Sequence, residues 1–280
     1  MKDTYIEDFI ELALKEDVGE GDHTSLACVP PDQTSKAQLL IKEPGVIAGI
    51  RIAERVFKKV DPTMEFVQLI EDGADVVAGD IAFTVTCSSQ ALLKAERLAL
   101  NLMQHMSGIA TLSNRYKFEV EDLPVTLLDT RKTTPLLRIF EKEAVRLGGN
   151  TNYRMGLYDR FMIKDNHIDA CGGVKEAIDK IKAYKKEKGI DLPITVEVRN
   201  LVELYQVLEV GEVDRIMLDN FEPRLLAEAV TAIDGRFETE ASGGINIHNV
   251  REMAKTGVQF ISIGALTHSA PNMDMSLKVV

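Results

Sequence analysis

Val196-Glu197-Val198-Arg199-Asn200, Leu218-Asp219-Asn220 and Ala241-Ser242-Gly243-Gly244 share one design: an apolar run that ends in charged, amide or glycine residues. Leu128-Asp129-Thr130-Arg131-Lys132 and Ile163-Lys164-Asp165-Asn166-His167 precede them in the same style, and Ile263-Gly264-Ala265 closes the series. A charge set directly after an apolar run is costly unless a site needs it there. Repeated strand, polar tip and helix units predict parallel strands with right-handed crossovers. They point to an α/β barrel whose active face is built from the tips. The strand-like runs centre near residues 127, 162, 196, 217, 240 and 262. Helical patterns lie at about 135–147, 173–187, 200–209, 222–233 and 247–256. About six units are visible, so the barrel is expected to be incomplete.

Upstream the rhythm differs. Residues 4–16 read as an amphipathic helix, with Ile6, Phe9, Ile10, Ala13 and Leu14 on one face. Short strands are expected at 36–42, 46–49, 66–70 and 81–86, broken by turn residues, with a helix at 51–60. From Ser89 to about Lys117 runs a long helix: Leu92, Ala95, Ala99, Leu102, Met106 and Ile109 recur at helical spacing, and Arg97, Asn101 and Gln104 share the opposite stripe. The expected organisation is a first α/β domain over 1–110, including this connector helix, and a barrel over 111–268. The tail, 269–280, is expected to add a strand to the first domain.

The 280 residues carry a net charge of −11, with 45% hydrophobic and 28% charged residues. That balance argues against nucleic acid or an anionic membrane as a main partner. It also makes the cations clustered in the loops more informative, because they run against the global sign. Cys28, Cys87 and Cys171 form no zinc spacing and no disulfide framework, so a reducing cytoplasm is expected. Acids interrupt the apolar residues of the N-terminus, and no run approaches about 18 apolar residues, so neither a signal peptide nor a membrane span is expected.

Ser242-Gly243-Gly244 and Gly264-Ala265 sit at the last two strands, where barrels commonly bind phosphate through backbone N–H groups. Arg131, Lys132, Arg154 and Lys164 form a cationic group suited to carboxylates. Glu197 and Asp219 suit a magnesium ion, ribose hydroxyls or a developing cation; each could equally pair with a lysine or arginine of the site. Arg138, Arg146 and Arg160 are expected at the surface or in salt bridges. His105 reads as structural, while His167 and His268 lie near loop tips where a ligand would be in reach.

At this point a family is recognisable. Thr130-Arg131-Lys132-Thr133-Thr134-Pro135, Glu141-Lys142-Glu143-Ala144-Val145, Tyr153-Arg154-Met155-Gly156-Leu157-Tyr158-Asp159 and Ile163-Lys164-Asp165-Asn166-His167 resemble quinolinate phosphoribosyltransferases. Ala95-Glu96-Arg97-Leu98-Ala99-Leu100-Asn101, Leu218-Asp219-Asn220 and Ile263-Gly264-Ala265-Leu266-Thr267-His268 extend the likeness over nearly the whole chain. The resemblance implies an N-terminal α/β open sandwich followed by an incomplete, TIM-like α/β barrel. It implies transfer from 5-phosphoribosyl 1-pyrophosphate to quinolinate with decarboxylation, giving nicotinate mononucleotide, carbon dioxide and pyrophosphate in NAD synthesis. Mg²⁺ is implied, and no organic cofactor. A homodimer, or a higher oligomer, is implied, with Arg97 reaching the neighbouring subunit's site.

By the same resemblance Arg97, Arg131, Arg154 and Lys164 hold the quinolinate carboxylates, and Lys132 and Lys164 approach the phosphoribosyl donor. Glu197 and Asp219 handle ribose and magnesium. Ser242, Gly243, Gly244, Gly264 and Ala265 cradle phosphate, with Thr130, Tyr153 and His268 completing the substrate-binding set. Lys132, Lys164, Glu197 and Asp219 are the expected catalytic residues. The chain departs from the family pattern at three places: Tyr153 stands for a histidine, and Asn150 and Leu136 stand for glycines. Tyrosine can donate a hydrogen bond but cannot carry positive charge. Asparagine tolerates left-handed backbone, which would make Asn150 a mild change. Other readings of the residues are a class I aldolase with Lys164 as Schiff base, a non-catalytic binding protein, and a molybdenum-associated paralogue of the family.

Overall fold

The computed structural model describes residues 2–280, except for the Lys2 side chain. In chain order the elements are α1 Lys2–Val18, α2 His23–Cys28, β1 Thr34–Ile41, β2 Gly45–Val46, α3 Ile50–Val60, β3 Glu65–Gln68, β4 Asp75–Val76, β5 Ile81–Ser88 and α4 Ser89–Glu119. They continue with β6 Thr126–Leu128, α5 Arg138–Leu147, β7 Phe161–Ile163, α6 Asp165–Cys171, α7 Val174–Lys188, β8 Ile194–Val198 and α8 Leu201–Val210. The last are β9 Arg215–Asp219, α9 Pro223–Ile233, β10 Glu238–Ser242, α10 Val250–Ala254, β11 Phe260–Ser262, α11 Ala265–His268 and β12 Met275–Val279. Two compact units divide them: one takes residues up to Asn114 with Thr134–Gly149 and Ser269–Val280, the other Arg115–Thr133 with Asn150–His268.

In the first unit an antiparallel sheet runs β12-β1-β5-β3. Alternation along β1 buries Ala37, Leu39 and Ile41 on one face, as a period of two requires. Ala53, Val56 and Phe57 give α3 its buried side, and Leu92, Ala95, Ala99 and Met103 bring one stripe of α4 into the same core. Phe83 joins them, stacked on Phe66 at 4.5 Å. The tail completes the sheet, with Leu39 opposite Leu277.

The domain limits differ from the sequence expectation in two places, by a few residues at 111–114 and by a whole helix at 134–149. Residues 134–149, read as the first helical return of the barrel, belong to the first unit. Phe140 of α5 meets Phe9 at 4.9 Å, and Ser113 donates to the Val145 carbonyl. Strand–helix alternation reveals that a helix exists, not the body on which its apolar face docks. Leu136, just before α5, has φ +65, so leucine stands in the left-handed geometry that usually selects glycine. Asn150 does not: positive φ falls on Gly149 beside it, so tolerance of left-handed backbone is not what admits asparagine there.

In the second unit six parallel strands run β6-β11-β10-β9-β8-β7. β6 and β7 end the order, and a lone bridge from Leu128 to Thr151 stands in the gap between them. This is the incomplete barrel expected from six repeats. Its strands are near-continuous apolar runs, with Val196, Val198, Ile216, Leu218 and Ala241 fully buried, as befits strands covered on both faces. Two short helices, α6 and α11, were not legible from periodicity because each starts in a polar tip. At α6 the Lys164 backbone N–H donates to His167 Nδ1, so His167 caps its own helix. Among the described residues no helix is long and apolar enough to cross a membrane.

Candidate active site

The C-terminal tips of the barrel strands open into a cavity of about 810 Å³. Thr130, Arg131 and Lys132 follow β6, Lys164 follows β7, and Glu197 lies within β8. Asp219 ends β9, and Ser242, Gly243 and Gly244 come at the end of β10. Gly264, Ala265 and His268 lie beyond β11, while Tyr153 and Arg154 come from the segment between α5 and β7. Val196 and Val198 face the core, so the strand's alternation turns Glu197 the other way.

Glu197 meets Lys164 Nζ at 3.5 Å and keeps only 13% of its side chain exposed. Burial raises its pKa, the neighbouring Asp219 raises it further, and Lys164 opposes both. Asp219 is steadied by Asn220, whose Nδ2 donates to Oδ2 at 2.7 Å. Asn220 itself has φ +57 and gives its backbone N–H to the Ser242 carbonyl at 2.8 Å. That turn leaves no room beside it: a Cβ on Gly243, at φ +90, would lie 2.2 Å from Asn220 Oδ1. The metal-type carboxylate and the phosphate-type loop are thus locked to each other. Opposite them, burial and the adjacent Arg131 push the Arg154 pKa down. Two neighbouring guanidiniums whose like charges oppose each other favour an anion in the same space.

Below the cavity lies a second polar layer. Asp129, fully buried, accepts the Tyr153 backbone N–H at 2.8 Å. The Tyr153 hydroxyl meets buried Thr195 Oγ1 at 3.0 Å, and Arg160 Nη1 donates to the same oxygen at 3.0 Å. Burial first, and Glu240 second, push the Tyr153 hydroxyl up to about 12, so it stays neutral near pH 7.

Models of both halves of one family match the chain: the C-terminal domain of quinolinate phosphoribosyl transferase over residues 109–278 and its N-terminal domain over 22–107. The chain belongs to the quinolinate phosphoribosyltransferase family. It is 44% identical to quinolinate phosphoribosyltransferase [decarboxylating] 1b of Nicotiana tabacum, over 96% of this chain and 81% of the relative. It is 39% identical to a probable nicotinate-nucleotide pyrophosphorylase [carboxylating] of Synechocystis, over 98% of this chain and 92% of that one. NadC from Streptococcus pyogenes superposes with a TM-score of 0.92 at 38% identity, covering 98% of this chain and 97% of its own.

Most of the residues expected of a quinolinate phosphoribosyltransferase do line this one cavity; Arg97 is the exception. It lines a separate hollow of the first unit with Glu16, Asp17 and Asn101. His167 is not among the lining residues, since capping occupies it. His105 pairs with buried Glu141 at 2.9 Å, the structural role expected of it. Arg146 pairs with Glu143 as foreseen, but Arg160 is a correction: it reaches buried Thr195 beneath the cavity rather than the surface. Sequence reasoning missed Asn220, Asp129, Arg215 and Glu240. The signal for the last two was a charge inside a strand run, at Arg215-Ile216-Met217 and Thr239-Glu240-Ala241.

Proposed function

We propose that this cavity holds quinolinate beside 5-phosphoribosyl 1-pyrophosphate and makes nicotinate mononucleotide, the step that supplies NAD synthesis. The observation that carries the reading is the union, in one cavity, of four cations with two carboxylates and a glycine-built loop. Arg131, Arg154 and Lys164 take the two carboxylates of quinolinate. Lys132 and Lys164 approach the phosphoribosyl donor. Thr130 and His268 line the same space, and backbone N–H groups at Ser242, Gly243, Gly244, Gly264 and Ala265 cradle its phosphate.

Glu197 and Asp219 take ribose hydroxyls and stabilise positive charge as the C1–pyrophosphate bond breaks. The quinolinate nitrogen then bonds to C1 and becomes cationic. The electron pair released when the C2–carboxylate bond breaks and carbon dioxide leaves stays on C2, stabilised by the adjacent cationic nitrogen, and takes up a proton there. Among the described residues no group of three His, Cys, Asp or Glu side chains is placed to hold a metal. Two neighbouring carboxylates fit Mg²⁺, which keeps waters and takes phosphate oxygens for most of its shell. Glu197 and Asp219 would hold it, directly or through water, and it would neutralise charge on the departing pyrophosphate.

The Schiff-base alternative for Lys164 loses ground to family membership and to its ion pair with Glu197. A homodimer sharing Arg97 across its interface, and a cytoplasmic setting, belong to the same proposal; the free state of Cys28, Cys87 and Cys171 supports the latter. The test is nicotinate mononucleotide formation with quinolinate or nicotinate as acceptor and Mg²⁺ present. Turnover of quinolinate alone is expected, because the paired guanidiniums ask for two carboxylates. Equal turnover of nicotinate would overturn the specificity.

A further inference from the structure

Beneath Tyr153 sits an ion pair that the reaction as described does not use. Arg215, at the start of β9, keeps 6% of its side chain exposed. Its Nη1 donates to Glu240 at 3.0 Å and its Nε to Glu238 at 2.9 Å. Glu240 is fully buried, and its second oxygen accepts the Ser262 hydroxyl at 2.5 Å. The Arg215 guanidinium also stacks on Phe260, 3.7 Å from the ring centre, and lies 5.1 Å from the centre of the Tyr153 ring. Both Tyr153 and Ser262 line the cavity. Two buried ions are therefore tied, one step removed, to two residues of the cavity wall.

A buried ion pair is a poor device for stability alone, since apolar side chains of similar volume usually serve as well or better. It is a good device for direction. A guanidinium held flat by Phe260 and fixed by two carboxylates cannot turn, and its charge attracts the electron-rich ring face of Tyr153. The backbone of Tyr153 is held by Asp129 and its hydroxyl by Thr195, and its ring lies against Arg215 at 5.1 Å and Arg160 at 5.4 Å; of these two cations only Arg215 is itself fixed by a buried carboxylate. Tyrosine cannot supply the charge that a histidine would, so its value to a dicarboxylated ring lies in placement. Placement of a contacting group matters at roughly the 0.5 Å level.

We infer that Arg215, paired with Glu240, is a positioning residue for quinolinate: it sets the Tyr153 ring against the substrate from below. The inference rests on quinolinate binding in this cavity. The test compares Arg215→Met, Arg215→Lys and the charge-neutral pair Arg215→Met with Glu240→Gln, each with Tyr153 present and with Tyr153→Ala. KM for each substrate, kcat and Tm are measured. With Tyr153 present, each change should raise the quinolinate KM about tenfold and leave the phosphoribosyl pyrophosphate KM within about twofold. The charge-neutral pair should do so at near wild-type Tm, since it strands no buried charge. Lysine should restore Tm but not KM, because it pairs without stacking. In Tyr153→Ala the same changes should move the quinolinate KM by less than about twofold. A full tenfold rise there, a parallel rise in both KM values, or a fall in Tm with KM unmoved would overturn the inference. Absence of quinolinate turnover in the wild type would instead overturn the reading beneath it.

Discussion

Glu197 answers two opposed demands. The proposed chemistry asks it to be a carboxylate facing developing positive charge, while burial and Asp219 favour its neutral form. A carboxylate whose pKa rises on folding lowers stability above that pKa, and the penalty disappears as pH falls to the unfolded value. Glu197→Gln should therefore abolish turnover yet raise Tm at pH 7–8, with the gain shrinking as pH drops into the ordinary glutamate range. Thermal unfolding of both proteins across pH checks it; a lower Tm at neutral pH would show that the Lys164 contact outweighs burial. At this scale the sequence marked Glu197 and Lys164 as residues of the cavity, because a charge after or within an apolar run is conspicuous, while Arg154 was marked by its family motif. It was mute on Asp129 and Asn220, whose work is to hold other residues, and on Arg160, whose direction depends on Thr195, 35 positions away.

Elements were legible where a period was sustained. All six barrel strands lie where their apolar runs centre, and α4 spans Ser89–Glu119 against an expected end near Lys117. The helices α6 and α11 escaped because seven and four residues carry too little period. A fact of α4 that no pattern reveals is the need for Gly108 in its interior. Glycine usually costs about 1 kcal/mol relative to alanine there. Here a Cβ would lie 1.9 Å from the Pro271 carbonyl of the segment leading to β12. Gly108→Ala should thus destabilise, by about 1–3 kcal/mol once the chain shifts to make room, despite the better helix former. Calorimetry of this variant decides between close approach and propensity; a raised Tm would favour propensity.

For the whole molecule the open matter is Arg97, which lies on the polar stripe of α4 and lines a hollow of the first unit. The proposed homodimer assigns it to the partner's cavity. Arg97→Ala and Lys164→Ala should each be inactive. After subunit exchange, half the dimers are mixed, with one doubly defective and one intact site. About a quarter of wild-type activity should then return. No recovery despite proven exchange would place Arg97 in its own subunit's chemistry or outside it.

By itself the sequence determined the class of the fold and the list of tips. Strand and helix periods are local, and a charged residue at the end of an apolar run betrays a site without reference to anything distant. Family motifs then assigned roles to Arg131, Lys132, Lys164, Glu197 and Asp219. Only the tertiary structure decided which body receives α5, because an apolar helix face does not say what covers it. Only it showed that Asn220 leaves no room for a Cβ on Gly243, and that Arg215 and Ser262 meet at Glu240. Those three lie on neighbouring parallel strands 22 to 25 residues apart. Their meeting is set by strand register, which no local pattern encodes.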